Sequence, residues 1–388
     1  MYESLVRPIG ELTVGLLQRM ADVLSPESHE LHETRSCKDV DLPADLCAHP
    51  NVQTEWWYYT GHCITESQKR FGFELVFFKR RTDFDRFGIL PLRLLANPIY
   101  AAHFAISDID RKYFQYDHRR SFNKPLDLPV EMSEDCYKLR LGDWTVHENK
   151  SSHILHAGFD ENLTFDAVLT TIKPPVLNGD GVGKSHKEAG ATSSHFSFTR
   201  MKVDGNISKN GNAEKFSGLA WMDKEFGTWD QKNWDWFSIQ FDDGIELMIY
   251  HFRNDTGDTQ GFSNGTFVDK DGKCIYLKRE DFVLTPTNRW KSWRTDSTYP
   301  SRWQLSVESL GIDIEIEPLM SDQELDTRGT TMIVYWEGAC NVTGTLALKP
   351  IGGRAYVELV GYDRSHETAG MADFLFGGRI RQIQEMFS

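Results

Sequence analysis

The chain lacks both a long apolar run and an excess of positive charge. No window approaches the roughly 18 consecutive apolar residues of a membrane-spanning helix, so no transmembrane segment is expected. Acidic residues outnumber basic ones by 57 to 43, and the formal net charge is −14. Such a balance disfavours attraction to phosphate backbones or anionic lipids, so we expect no nucleic-acid partner.

The sequence also has little that indicates a cofactor. It contains no Gly-rich dinucleotide fingerprint after a strand, no Walker A motif and no Gly-x-Ser-x-Gly nucleophile elbow. The six cysteines form no Cys-x-x-Cys pair, and His153-x-x-His156 lacks the further ligands of a zinc enzyme. We therefore expect neither metal nor cofactor. The cysteine usage and the absence of a visible secretory signal predict a cytoplasmic location.

Aromatic residues are abundant, with 11 Trp and 24 Phe in 388 residues. Four of them are consecutive in residues 55–61, directly after Glu55, and must line a core or a cavity. A related block occurs at residues 233–237. A short polar loop follows each block, and then comes a Gly-x-Glu-Leu segment, at residues 72–80 and 244–253. This pattern predicts one β-hairpin unit written twice.

Short strands at close spacing dominate the remaining pattern, and residues 312–317 alternate strictly between isoleucine and acid. An all-β fold of two domains is therefore predicted. We place an N-terminal helical segment at residues 1–36, β-domains at 37–230 and 231–370, and a C-terminal helix at 371–388. The terminal helices are expected to pack on the domains, with peripheral contact to a membrane surface as the alternative.

Two carboxylates stand between tryptophans in residues 218–229. Asp223 and Glu225 lie between Trp221 and Trp229, and a carboxyl group held among aromatic rings loses solvation of its charged form. It can then stay protonated at neutral pH and donate a proton. The alternative is that both acids are ion-paired or satisfy a turn.

Glu55 is a second candidate, beside His49 and Gln53 on one face of a predicted strand. Its alternative role is a buried hydrogen-bonded network that joins neighbouring strands. Residues 173–192 are rich in Pro, Gly, Lys and Asp, which predicts a long polar loop. That loop is either a solvated surface segment or a lid over a cavity.

Several of these blocks together resemble one known family. The chain is similar to carotenoid 1,2-hydratase (hydroxyneurosporene synthase) and the AttH-like proteins, which carry two lipocalin-like β-barrels in tandem. The resemblance lies in residues 49–61, 221–227, 234–237, 243–247, 335–338 and 356–362. Phe226 and Lys224 depart from the pattern, where many relatives have Trp and a His or Arg. The resemblance implies two tandem antiparallel barrels, with helices only at the termini.

The resemblance also implies an enzyme that protonates a carbon–carbon double bond of a terpenoid or polyene in a hydrophobic cavity and so promotes its hydration or cyclisation. Asp223 is then the proton donor and Glu225 its partner. Alternatives are a non-catalytic carrier of a hydrophobic molecule and a pericyclic cyclase that acts by shaping its substrate. The oligomeric state is left open. The residues expected to bind substrate are Glu55, Trp56, Trp57, Tyr59, Trp221, Trp229, Trp236 and His195.

Overall fold

A computed structural model of the chain describes residues 39–363, apart from 84, 88, 89, 95, 160, 161, 180, 189, 190 and 230–232. Its regular structure is antiparallel β-sheet with three-residue 3-10 helices at Ala44–Leu46, Leu92–Leu94, Arg279–Asp281 and Glu308–Leu310. Within this part of the chain no helix could cross a bilayer. The all-β prediction is confirmed, and the predicted terminal helices lie outside the described residues.

The strands of the first half run from Thr54 to Gly227. They are Thr54–Thr65 (β1), Arg70–Arg80 (β2), Arg86–Phe87 (β3), Leu90–Pro91 (β4), Ile99–Asp108 (β5), Tyr113–Ser121 (β6), Val130–Met132 (β7), Lys138–Leu141 (β8), Trp144–Asn149 (β9), Ser152–Phe159 (β10), Leu163–Thr171 (β11), Val176–Leu177 (β12), Lys184–Glu188 (β13), Ala191–Lys209 (β14) and Asn212–Gly227 (β15). Except for the small β3–β4 pair, they form one sheet in the order β6-β5-β2-β1-β15-β14-β11-β10-β9-β8-β7, with β12 and β13 added to β14.

The strands of the second half run from Trp234 to Val360. They are Trp234–Phe241 (β16), Glu246–Phe252 (β17), Asn264–Val268 (β18), Cys274–Lys278 (β19), Val283–Lys291 (β20), Thr298–Val307 (β21), Ile312–Pro318 (β22), Glu324–Asp326 (β23), Val334–Leu346 (β24) and Lys349–Val360 (β25). Their sheet order is β19-β18-β17-β16-β25-β24-β22-β21-β20, with β23 added to β24. The predicted boundary between residues 230 and 231 falls between β15 and β16.

Each sheet curls around its own apolar core into a nearly closed, lipocalin-like barrel. Large rings such as Trp57 and Phe104 fill the first core, and Phe237 and Trp303 fill the second. Burial of each such side chain contributes about 1.5–3 kcal/mol. In β22 the isoleucines predicted to face inward are buried, as the strict alternation requires.

The repeated hairpin predicted from the aromatic blocks is confirmed. β1 pairs with β2, and β16 pairs with β17, both antiparallel. The last strand of each half, β15 or β25, pairs with the other edge of the first strand in that half. The two halves thus place the same three-strand arrangement at the centre of each sheet.

The predicted long loop over residues 173–192 is only partly correct. Both β12 and β13 lie in this segment and pair with β14, which itself begins at Ala191. The segment therefore continues the sheet of the first half instead of running over the surface. The prediction from amino-acid composition failed here because backbone hydrogen bonds to a long neighbouring strand can hold a polar segment in a sheet.

The two halves pack against each other through the outer faces of their central strands. Tyr58 and Trp221 from the first half meet Trp236 from the second, with ring centroids 5.2 and 6.1 Å apart. Met248 and Tyr356 belong to the same buried cluster. Both faces of β1 are therefore covered, one by the barrel core and one by the second half, which explains its run of consecutive aromatics.

Candidate functional site

An apolar cavity of about 200 Å³ lies between the outer faces of the two sheets. Strands β1, β2 and β15 line it from the first half, and β16, β17, β25 and residues 330–333 line it from the second. Its aromatic wall is formed by Trp56, Tyr58, Phe78, Trp234, Trp236 and Tyr250. A largely apolar pocket between domains with a few convergent polar groups is the usual form of a small-molecule site.

Strand alternation brings two predicted carboxylates to this cavity. In β1 the even-numbered Trp56 and Tyr58 face the second half, whereas the odd-numbered residues face the barrel core. The antiparallel register places Trp56 opposite Glu225 and Tyr58 opposite Asp223. Directly opposite residues share a face of the sheet, so both acids lie beside aromatic rings at the cavity wall.

Asp223 is surrounded by hydrogen-bond donors. The Nε1 atom of Trp221 donates to Oδ1 at 2.7 Å, and the Ser197 hydroxyl donates to the same oxygen. The other oxygen, Oδ2, lies 2.9 Å from Nε2 of His195. Several donors on one carboxyl group stabilise negative charge on its oxygens. This arrangement suits a base or a charge stabiliser better than a proton donor.

Glu225 pairs with a buried lysine. Nζ of Lys187 lies 2.5 Å from Oε1, and the Ser193 hydroxyl donates to the same oxygen. The ammonium group also lies over the ring of Tyr250, 3.8 Å from its centroid. Burial lowers the pKa of Lys187, while Glu225 acts in the opposite direction. Lysine, carboxylate and ring thus form one compact charged group at the cavity wall.

Glu358 lines the opposite wall, on β25. Its Oε2 accepts a hydrogen bond of 2.8 Å from Nε1 of Trp234, and its side chain is half-buried. Burial raises the pKa of Glu358 to about 7, in spite of Trp234 and of Lys187. A carboxyl group with such a pKa carries a proton in a large fraction of molecules at neutral pH and can donate it.

Two further buried acids adjoin Glu358. Burial raises the pKa of Glu74 to about 8, although the Tyr335 hydroxyl donates to its Oε1 at 2.9 Å. Burial, together with Glu74, also raises the pKa of Glu337 well above its usual range. The Tyr58 hydroxyl donates to Oε1 of Glu337 at 2.5 Å. Glu74 on β2 of the first half and Glu337 and Glu358 on β24 and β25 of the second half thus all favour their neutral form.

The structure places several of the residues predicted to bind substrate at or beside the cavity. Trp56 and Trp236 line it. Trp221 and His195 do not line the cavity but lie within hydrogen-bond distance of the Asp223 carboxyl group. Trp229 meets Trp56 edge-on, with ring centroids 5.1 Å apart.

Glu55, Trp57 and Tyr59 lie on the opposite face of β1 and do not line this cavity, so their role in substrate binding stays a prediction. Trp57 and Tyr59 are part of the first barrel core. Glu55 accepts hydrogen bonds from His49 and pairs with Lys224. The physical reason is the two-residue period of a strand, which sends neighbours to opposite faces. Glu55 instead belongs to a buried network between strands, the alternative weighed for it from the sequence.

Sequence reasoning missed Lys187, Glu74 and Glu358 as site residues. Lys187 lies in the segment taken for a polar loop, where no signal distinguished it from a solvated lysine. Glu358 lies in residues 356–362, which entered the sequence analysis only through the family resemblance. A usable signal was present, because a glutamate between apolar neighbours on a strand buried on both faces must find a partner or stay neutral.

The described residues hold no group of three or more His, Cys, Asp or Glu side chains that could bind a metal ion. His153 and His156, the pair weighed from the sequence, do not converge. His153 is buried beside Tyr59, whereas His156 pairs with Asp166 at the surface.

The AttH-like family model matches residues 33–362, most of the chain. The chain belongs to the AttH-like family. A solved structure of a protein assigned as AttH, from Nitrosomonas europaea, is similar to this AttH-like chain, with 29% identity and a TM-score of 0.73. That similarity covers 84% of this chain and 98% of the other. The resemblance to carotenoid 1,2-hydratase in particular stays a prediction.

A second solved structure, kievitone hydratase from Nectria haematococca, shares the fold of the AttH-like chain. It has 17% identity and a TM-score of 0.65, and the similarity covers 84% of this chain and 94% of that one. No curated protein matches the AttH-like chain.

Proposed function

We propose that this AttH-like protein is a hydro-lyase that adds water to a carbon–carbon double bond of a lipophilic substrate of terpenoid or polyene type. One observation carries the proposal. A carboxyl group with a pKa of about 7, Glu358, lines the same aromatic cavity as the donor-rich Asp223. Hydration of an alkene needs both an acid and a base at one apolar site.

The proposed mechanism begins with the protonated form of Glu358. Its proton passes to one carbon of the double bond, and the other carbon becomes a cation. The faces of Trp56, Trp236 and Tyr58 can stabilise that cation by about 0.5–2 kcal/mol each. Water then adds to the cation, and the carboxylate of Asp223 takes the proton that the water loses. One H and one OH are added in total.

This proposal reverses the role that the sequence suggested for Asp223. The donors from Trp221 and Ser197 stabilise negative charge at position 223, and Nε2 of His195 lies within hydrogen-bond distance of the other carboxyl oxygen. Glu358 accepts a hydrogen bond from Trp234 and is half-buried, and the partial loss of solvation favours the neutral acid. Glu225, held by Lys187, would stabilise the cation electrostatically without exchanging a proton.

The cavity volume indicates what part of the substrate enters. At about 200 Å³ it is smaller than the roughly 300–1,000 Å³ of pockets that hold a whole drug-sized ligand. We therefore propose that one branched, isoprene-like end of the substrate enters, with its double bond between Glu358 and Asp223. The name of kievitone hydratase, which has the same fold, supports the class of reaction.

The test is incubation of the purified protein with a panel of acyclic terpenoids and polyenes in water enriched in heavy oxygen. Mass spectrometry should detect a product heavier by one molecule of that water. A compound that binds tightly but is recovered unchanged across the panel would favour the carrier over the enzyme.

Asp223→Asn is expected to lower the turnover of the hydrated compound by about 10²–10⁴-fold, because an amide cannot accept the proton from water. Binding, measured by quenching of tryptophan fluorescence, should stay close to that of the unaltered protein. The control is Asp313→Asn, an exposed acid on β22, which should leave both quantities unchanged. An active Asp223→Asn protein would reject the assigned base.

A further inference from the structure

A continuous line of buried polar groups leads away from Glu74 in the cavity wall. The Tyr335 hydroxyl lies 2.9 Å from Oε1 of Glu74 and 2.8 Å from Nδ1 of His103. Nε2 of His103 lies 3.2 Å from the Thr330 hydroxyl. Every link is within hydrogen-bond distance, and each member is buried.

The line ends at the protein surface. Nδ1 of His118 lies 2.9 Å from the same Thr330 hydroxyl, and His118 is half-buried on β6, the edge strand of the first sheet. The Thr330 hydroxyl can also turn toward the Thr327 carbonyl, 3.1 Å away. The chain of groups therefore connects an enclosed carboxyl group to a side chain that solvent reaches.

Each inner member can both accept and donate a proton. A hydroxyl group has one proton and two lone pairs, and a neutral imidazole has one donor and one acceptor nitrogen. Burial, together with His118, lowers the pKa of His103 well below its usual range, which keeps that ring neutral. The hydrogen bonds along this line can therefore all point toward Glu74 or all point toward His118. The two arrangements differ only in which atom of each hydrogen-bonded pair carries the proton.

We propose that Glu74, Tyr335, His103, Thr330 and His118 form a proton relay that equilibrates the cavity wall with solvent. The relay deepens the proposed function. It rests on that function in one respect, because the hydration is the reaction that consumes the delivered proton. Glu358, the acid proposed for the hydration, loses its proton in each turnover, and Glu74 interacts electrostatically with it in the wall of the same cavity. An apolar substrate in that cavity excludes the bulk water that would otherwise restore the proton. The roles proposed for Glu358, Asp223 and Glu225 do not depend on the relay.

Inward transfer moves one proton across each link of the line. Protonated His118 gives its Nδ1 proton to the Thr330 oxygen, and the Thr330 proton passes to Nε2 of His103. The Nδ1 proton of His103 passes to the Tyr335 oxygen, and the Tyr335 proton passes to Oε1 of Glu74. His118 becomes neutral, Glu74 becomes a neutral acid, and every group between them keeps its charge. The reverse sequence carries a proton outward and restores the first polarity.

The surroundings of Glu74 suit this function. Oε2 of Glu74 is buried and has no hydrogen-bond partner, so the ionised form is costly there. The titratable groups that adjoin it are Tyr335, Glu358 and Glu337, of which the two acids disfavour a further negative charge. At the outer end, Asp326 interacts electrostatically with His118, which favours the protonated ring that starts the inward step.

A pH-jump measurement with infrared detection tests the relay without any substrate. Glu74 should contribute a protonated carboxyl band that titrates near pH 8 and is lost in Glu74→Gln. Thr330→Val removes the central hydroxyl and should slow the appearance of that band by at least about tenfold. Thr330→Ser retains the hydroxyl and should keep the rate of the unaltered protein.

His118→Ala changes only the half-exposed end and provides an independent variant. It should slow protonation of Glu74 similarly, and added imidazole should restore the rate by replacing the missing ring. Imidazole should not restore Thr330→Val, whose gap is buried. The relay would be overturned if Glu74 were protonated at the unaltered rate in both Thr330→Val and His118→Ala. It would also be overturned if Glu74→Gln retained every titrating carboxyl band. Because no lipophile is used, this result is independent of whether hydration is observed.

Discussion

Replacement of Glu358 by glutamine is expected to lower the turnover number by about 10²–10⁴-fold and to leave substrate affinity nearly unchanged. Glutamine has the same shape and can still accept the hydrogen bond from Nε1 of Trp234. It has no acidic proton, however, so the double bond cannot be protonated. The measurement is single-turnover kinetics on the compound that the terpenoid and polyene panel identifies, beside a fluorescence titration for binding.

The pH dependence gives a second measure of the same role. Because protonated Glu358 is the active form and its pKa is about 7, turnover should be highest below pH 7 and fall as the pH rises through that value. The charged groups that face Glu358 are Asp223, Glu225 and Lys187, and Glu74 adjoins it. Turnover that is flat across this range would contradict the assignment.

A matched control separates loss of the acid from general damage. Glu315→Gln removes an acid from an outward-facing position of β22 and should change neither turnover nor affinity. Should Glu358→Gln hydrate the substrate at the rate of the unaltered protein, the proton must come from another group, and Glu74, which lines the same cavity, is an alternative with a raised pKa.

Replacement of Glu55 by glutamine is expected to destabilise the protein by about 3–5 kcal/mol. Glu55 and Lys224 are both fully buried, and Lys224 also lies over the ring of Trp57, 3.6 Å from its centroid. Lys79 lies 3.8 Å from the other carboxylate oxygen. Without Glu55, the charge on Lys224 would be left in an apolar interior, so the variant should unfold at a lower denaturant concentration.

Two comparisons test that explanation. Glu131→Gln breaks an exposed pair with Lys138 and should cost less than about 1 kcal/mol. The double variant Glu55→Gln with Lys224→Met removes both charges and should regain part of the loss. Equal destabilisation in the single and double variants would contradict a penalty from the unpaired lysine.

The ion pair between Glu55 and Lys224 should also make the stability of the protein depend on pH in the acid range. Burial alone would raise the pKa of Glu55, but Lys224, His49 and Lys79 together lower it to about 2. A depressed carboxyl pKa stabilises the fold above the unfolded value of 4.5 and loses that contribution as the pH falls toward 2. Burial also lowers the pKa of Lys224 to about 8 in spite of Glu55. Both groups are therefore charged at neutral pH, and Glu55→Gln should flatten the acid side of the stability curve.

The repeated aromatic hairpins show how far sequence reasoning reaches. The blocks at residues 55–61 and 233–237 correctly predicted two β-units, because hydrophobic periodicity and turn residues act over a few positions. The strict alternation of residues 312–317 likewise corresponds to strand β22, whose isoleucines are buried. The segment of β12 and β13 was missed because its order comes from pairing with β14, which composition does not record.

The sequence alone determined the class of fold, the twofold repeat, and the position of Asp223 and Glu225 between tryptophans. Only the tertiary structure decided that the cavity lies between the halves, that Glu55 faces away from it, and that Glu358 and Glu74 line it. The pairing of Lys187 with Glu225 beside the cavity was likewise decided there. The physical reason is that strand alternation is local, whereas the meeting of two outer sheet faces brings together residues as distant in sequence as Tyr58 and Glu337.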